Sequence, residues 1–181
     1  MPGSSRYENS QQEYFSLIQR DVSPACIVQP SSSEEVAGIV KVAIENDIPF
    51  AIHSGGHMWL PEASNIGGNG FTLDLVDIKT YELADDKKSV KIGSGWRWGS
   101  VFDKLAEEGL HAIGGRDKDV GVGGFLLGGE IQFTNNDRHL LLTIRSNLRR
   151  SLLPFLRTRH WIPQCYRLRG RVELRRHRSC Q

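Results

Sequence analysis

This 181-residue chain is short of cysteine, of long apolar runs and, towards its end, of lysine. Its three cysteines, Cys26, Cys165 and Cys180, have neither the paired spacing of a zinc site nor the density of a disulfide framework. Cys26 sits in an apolar run and reads as a small core residue. No apolar run reaches the roughly 18–20 residues that a membrane-spanning helix needs, so no membrane partner is expected. The opening Met1-Pro2-Gly3-Ser4-Ser5 has no basic stretch leading into an apolar core. No secretory signal is read there, and an intracellular location is the default expectation. A Walker lysine-serine pair is missing too. Gly93-Ser94-Gly95 continues into Trp96-Arg97-Trp98-Gly99, which misses the G-x-G-x-x-G spacing of a dinucleotide fingerprint.

The last lysine is Lys118, and the charge balance turns over soon after it. Residues 1–133 carry seven lysines and four arginines against 19 acids, a net −8. Residues 134–181 carry 12 arginines against Asp137 and Glu173, a net +10. Of the 19 glycines, 18 precede residue 134. The overall +2 therefore hides two compositional regimes. An N-terminal extension (1–23), a folded part (24–133) and an arginine-rich tail (134–181) are expected.

Local patterns predict a small α+β domain, with mixed small sheets and flanking helices. Residues 5–20 read as one short helix with Tyr14, Phe15 and Ile18 on one side. Ala25-Cys26-Ile27-Val28, between Pro24 and Pro30, reads as a strand. Ser31-Ser32-Ser33-Glu34-Glu35 places a serine three residues before a glutamate, the pattern of a capping box. Val36, Ile39, Val40, Ala43 and Ile44 then recur at helical spacing. Pro49-Phe50-Ala51-Ile52-His53 and Phe71-Thr72-Leu73-Asp74-Leu75 read as strands. Residues 81–83 and 89–93 flank Asp85-Asp86-Lys87-Lys88 and read as a hairpin. Residues 98–108 read as a helix with Val101, Phe102 and Leu105 inward, ended by Gly109. The tail shows no sustained period, and no fold is assigned to it.

Two glycine clusters stand out against this background. Ser54-Gly55-Gly56-His57 follows one strand. Gly121-Val122-Gly123-Gly124-Phe125-Leu126-Leu127-Gly128-Gly129 forms the other. Glycine permits positive φ and close backbone approach. Successive N–H groups in such turns converge on anions. Two clusters in one chain therefore point to a large anionic ligand, most simply a dinucleotide. His53 and His57 bracket the first cluster at a spacing of four. The glycines between them argue against a helix, no third ligand is near, and no metal is expected. Both read as loop histidines.

Taken in order, Pro24 to Val28, the Ser-Ser-Glu-Glu helix start, Pro49-Phe50-Ala51-Ile52-His53-Ser54-Gly55-Gly56-His57, residues 93–105 and Val120 to Gly129 resemble one known pattern. It is the N-terminal half of the FAD-binding domain of PCMH-type FAD-linked oxidases, which include vanillyl-alcohol oxidase and the berberine-bridge-enzyme-like oxidoreductases. The likeness is nearest to fungal members of the second type, many of which serve secondary metabolism. The resemblance implies that Ser54, Gly55, Gly56 and His57 wrap the FAD pyrophosphate. It implies a second cradle from Val120, Gly121, Val122, Gly123 and Gly124, with Gly128 and Gly129 packed near the cofactor. It also places His57 where many members bond covalently to the flavin 8α-carbon, a role that a neutral imidazole can fill as nucleophile.

The chain departs from that pattern in three places. Bicovalent members carry a cysteine where Asp117 stands here, so a second flavin bond is not expected. Glu130 replaces a third glycine and adds negative charge beside a pyrophosphate site. After Phe133 the pattern stops, and no residue matches the family's catalytic base. The tail has the charge to bind phosphate by counterion release, and Trp161 and Tyr166 could stack on bases. It has no recognisable nucleic-acid module, and nucleic acid is not expected as a partner. Its loss of lysine and glycine with gain of arginine is what a shifted reading frame or a retained intron produces. The expected function is an FAD-linked oxidoreductase acting on a small organic substrate, here an incomplete copy that holds FAD poorly and lacks turnover. The alternative is a non-enzymatic truncated fragment with a basic tail. The oligomeric state is left open.

Overall fold

Cys26, Ile27 and Val28 are apolar, partly β-branched and bounded by prolines, and they form β1 (Cys26–Val28). The computed structural model describes residues 1–128 and 143–145. From β1 the chain crosses through α3 (Ser33–Glu45) to β2 (Phe50–His53). Before β1 lie α1 (Ser5–Gln12) and α2 (Leu17–Arg20). β3 (Phe71–Asp74) inserts between β1 and β2, parallel to both. Every residue of β3 is buried, as a central parallel strand covered on both faces requires.

The capping of α3 is displaced by one residue from the expected box. Ser32 accepts the Glu35 N–H at 3.2 Å. The Glu35 carboxylate then accepts from Ser31, not Ser32, at both its N–H and its hydroxyl. These two bonds hold the Glu35 carboxyl below its ordinary range. Val36, Val40 and Ala43 point into a core with Phe71, Leu73, Leu75 and Ile78. Ile44, expected on that face, is exposed instead. It lies beyond the arc of the stripe that Val36, Val40 and Ala43 define.

The second unit begins at residue 81. β4 (Tyr81–Leu83) and β5 (Ser89–Ile92) make the expected antiparallel hairpin. α4 (Trp98–Glu107) buries Trp98, Val101 and Leu105 completely. They pack with Val90, Ile92, Val122 and Phe125. β6 (Thr143–Arg145) runs parallel to β5, with Ser89 opposite Thr143. It is the part of the arginine-rich tail that lies among the described residues. Glu130, Trp161 and Tyr166 lie outside them.

Two further expectations differ from the structure. The single helix over residues 5–20 is broken between Gln12 and Leu17. Tyr14 is fully buried there and gives its hydroxyl hydrogen to the Ser64 carbonyl, so tertiary contacts override helix propensity. Phe15 and Ile18 end up exposed. The second glycine cluster is not an open loop either. After Gly121 it becomes α5 (Val122–Gly128), because Val122 and Phe125 have the second core to bury against.

Trp98 should be the keystone of that second core. Truncation to alanine is expected to lower stability by about 3–5 kcal/mol, the usual range for a buried large aromatic. Denaturant unfolding of the variant against the parent chain measures it.

Candidate functional site

Parallel pairing of β2 with β3 puts His53 beside Asp74 at the carboxyl ends of both strands. The chain then leaves the sheet as the first glycine loop, so this pair forms the floor beneath it. His53 is buried, and its Nδ1 is 3.3 Å from Asp74 Oδ1. The nitrogen lies close to the carboxylate without the alignment of a hydrogen bond. Tyr14 stacks on the imidazole at 4.3 Å between ring centroids. Asp74 Oδ2 accepts from the Ser10 hydroxyl and the Gln29 amide, each at 2.7 Å. Burial pushes the Asp74 carboxyl up, but His53 and these two donors outweigh it and hold it below 3.8. His53 is thus a strand-end core residue and not the loop histidine that its sequence suggests.

Above this floor the two glycine clusters meet backbone to backbone. A Cβ built on Gly55 would stand 2.3 Å from Gly121 Cα and 2.4 Å from Gly121 N. One built on Gly121 would stand 2.4 Å from Gly55 N. No side chain fits at either position. Gly56 has φ +66°, and a Cβ there would lie 2.6 Å from His53 Nε2. Ser54 locks the same loop by donating its hydroxyl to the Ser94 carbonyl at 2.6 Å. The second cluster is fixed independently. Val122 N–H donates to the Trp96 carbonyl, and Trp98 N–H donates to the Val120 carbonyl. Arg97 bridges to Gly121 through its backbone, and its guanidinium donates to the Asp119 carbonyl and pairs with Glu13.

His57 closes the first loop and is partly exposed. Phe15 stacks on it at 4.4 Å, and Phe15 N–H donates to the Gly56 carbonyl at 2.9 Å. His57 Nε2 is 4.0 Å from Asp117 Oδ2. Its Nδ1 is buried and has no hydrogen-bond partner among the described residues. Behind the loop lies a cavity of about 190 Å³, with Arg6, Ser10, His53, Ser54, Asp74 and Arg97 in its wall.

Of the residues singled out in the sequence, Ser54, Gly55, Gly56, His57, Val120, Gly121, Val122 and Gly123 come together here. The position of Gly123 is set by Ser54, whose Oγ would meet a Cβ there at 2.8 Å. Gly124 and Gly128 instead sit on α5 facing open space. Gly129 lies outside the described residues. Sequence reasoning missed Tyr14, Phe15 and Arg97 as neighbours of the loop. It marked Asp117 only as a departure from a pattern. Nothing local to residues 13–15 signals a contact with a loop roughly 40 positions away in the chain.

A family model described as an FAD binding domain matches residues 24–138. Among curated proteins, the FAD-dependent monooxygenase prx3 of Penicillium roqueforti is 40% identical over 137 residues, 75% of this chain and 26% of that protein. The chain spans about a quarter of the length of such relatives. Among solved structures, wild-type BBE-like 1 of Physcomitrella patens superposes with TM-score 0.61 at 23% identity, covering 70% of this chain and 27% of that one. The 6-hydroxy-D-nicotine oxidase of Arthrobacter nicotinovorans does so with TM-score 0.57 at 26% identity, covering 66% and 26%.

Two outcomes are expected from this geometry. Gly55→Ala should destabilise by roughly 1–3 kcal/mol or more, the scale of forced overpacking, and chemical denaturation reads it. Asp74 should shape the acid limb of stability. Its folded value lies below 3.8, so its contribution is complete above 3.8 and is lost as the pH falls through the folded value. Asp74→Asn should flatten that limb in melting temperatures recorded against pH.

Proposed function

The chain belongs to the FAD binding domain family, and from that premise we propose that it forms the first half of the flavin site of an FAD-linked oxidoreductase that acts on a small organic molecule. When bound, FAD supplies the redox chemistry, taking two electrons from a substrate carbon and passing them to an acceptor. The chain's own residues bind and orient it. Ser54, Gly55 and Gly56 form a fixed loop, packed against Gly121, that would hold the cofactor's phosphate end. His57 is the covalent anchor for the flavin 8α-carbon.

The observation that carries this reading is the unpartnered Nδ1 of His57, on a loop held rigid from both sides. A buried nitrogen without a partner is uncommon, and such exceptions are drawn towards functional sites. The surrounding residues fit the cofactor. The glycines let the two loops and the His53 floor pack backbone to backbone, Ser54 fixes the turn, and a histidine stands at its rim. The relatives' names, FAD-dependent monooxygenase among them, point the same way.

The test is flavin retention by the chain. Noncovalent affinity is expected to be weak, because the loops present one wall of a site. After incubation with FAD under air, part of the flavin absorbance should survive acid precipitation. His57→Ala should abolish that resistant fraction and leave the weak reversible binding in place. A parent chain with no resistant flavin overturns the anchor role of His57.

A further inference from the structure

We propose that Phe15 and Asp117 clamp His57, and that Asp117 holds the imidazole proton on Nε2 so that Nδ1 keeps its lone pair. This deepens the anchor role given to His57 above and rests on it for the flavin consequence, though not for the state of the imidazole.

The clamp has a face and an edge. Phe15 covers one face of the imidazole, with the rings inclined by 27°. Its backbone N–H is bonded to the Gly56 carbonyl, so ring and loop are tied together. Asp117 stands at the Nε2 edge, 4.0 Å away. Its carboxylate is already oriented, because Oδ1 accepts the Asp119 N–H at 2.9 Å. That bond leaves Oδ2 as the oxygen facing the histidine. The remaining gap closes to hydrogen-bond length with a movement of about 1 Å. At the other edge Nδ1 has no partner among the described residues.

A neutral imidazole carries one proton, and the group beside each nitrogen decides where it sits. A carboxylate at Nε2 draws it there, as carboxylates fix the tautomer of metal-binding and catalytic histidines. No acceptor at Nδ1 competes among the described residues. The lone pair therefore belongs to Nδ1, and Asp117 is a positioning residue acting through His57. In bond formation Nδ1 contributes its electron pair to the flavin 8α-carbon, which gives up one proton. The electron pair of that broken C–H bond passes into the ring system. The positive charge left on the imidazole is relieved as Nε2 releases its proton towards Asp117. Dioxygen takes up the two electrons and two protons as hydrogen peroxide, restoring the oxidised cofactor.

The experiment is side-chain 15N NMR of the full chain without cofactor, with the His57 signals assigned by His57→Ala. The parent chain should show Nε2 protonated and Nδ1 not. Asp117→Asn keeps the Oδ1 acceptor for Asp119 and puts an uncharged amide donor in place of the carboxylate oxygen that faces Nε2. It should lower the tautomer ratio by roughly twofold to fivefold, the scale of a half-exposed charge pair, and Asp117→Glu should restore it. Phe15→Leu should erase the ring-current shift on the His57 protons and leave the tautomer in place. A proton on Nδ1 in the parent chain, or a ratio unmoved by Asp117→Asn, overturns the proposal. If the parent chain acquires acid-resistant flavin, Asp117→Asn should slow its accumulation roughly tenfold or more, at or below the low end of general acid–base effects. An unchanged rate counts against the proposal. If the parent acquires none, the anchor role falls, and the tautomer ratio alone decides the role of Asp117.

Discussion

The site depends on a contact between two glycines. Gly55 and Gly121 come from loops that belong to different cores, one under α3 and one under α4. Their backbones touch with no room for a Cβ on either. A contact of this kind has little adhesive strength of its own, because each atom pair contributes only about 0.1–0.2 kcal/mol. Its importance is geometric. It fixes the spacing between the two units, and therefore the place of everything the first loop carries, including His57. Strength comes from the bonds around it: Ser54 to the Ser94 carbonyl, Val122 N–H to the Trp96 carbonyl, and the Arg97 guanidinium to the Asp119 carbonyl.

The same loop is held from below by segments that no local pattern places there. Residues 1–23 precede the region that the family model matches, yet four of their residues act directly on the site. Ser10 bonds Asp74, Glu13 pairs with Arg97, Tyr14 stacks on His53, and Phe15 stacks on His57. Burial pushes the Tyr14 phenol well above its ordinary range, with the Asp74 charge adding to the effect. Tyr14 therefore stays neutral under the loop at any ordinary pH. The N-terminal extension belongs structurally to the site floor, although composition separates it only weakly from residues 24–133.

Legibility tracked the range of the interactions. β1, α3, β2, β3 and the β4–β5 hairpin were readable because each is set by a local pattern: prolines at the margins, apolar spacing, a turn between two short apolar runs. The break after Gln12 was not, because a buried tyrosine and a hydrogen bond to Gly56 cause it. The helix α5 was hidden for a related reason. Its glycines signal a loop, while Val122 and Phe125 bury it in the core around Trp98, a contact that no local pattern announces. Within the site, the glycines and His57 were visible as residue types. Their partners were not, since parallel register alone brings Asp74 to His53, and a distant turn brings Asp117 to His57.

Such a division has a functional meaning. A surface made of backbone and small residues recognises what is common to every molecule of a cofactor, its phosphates and their charge. It carries little about the substrate, which is why the cofactor class is legible from these loops and a chemical specialty is not. The individuality of this chain lies instead in side chains beside the rim. Phe15 and Asp117 flank His57, and Met58 and Trp59 continue from it into solvent. None of the four takes part in the Gly55–Gly121 contact. The fold can therefore vary the reactivity of His57 without rebuilding the cradle, and in this chain a carboxylate is the group placed at its Nε2 edge.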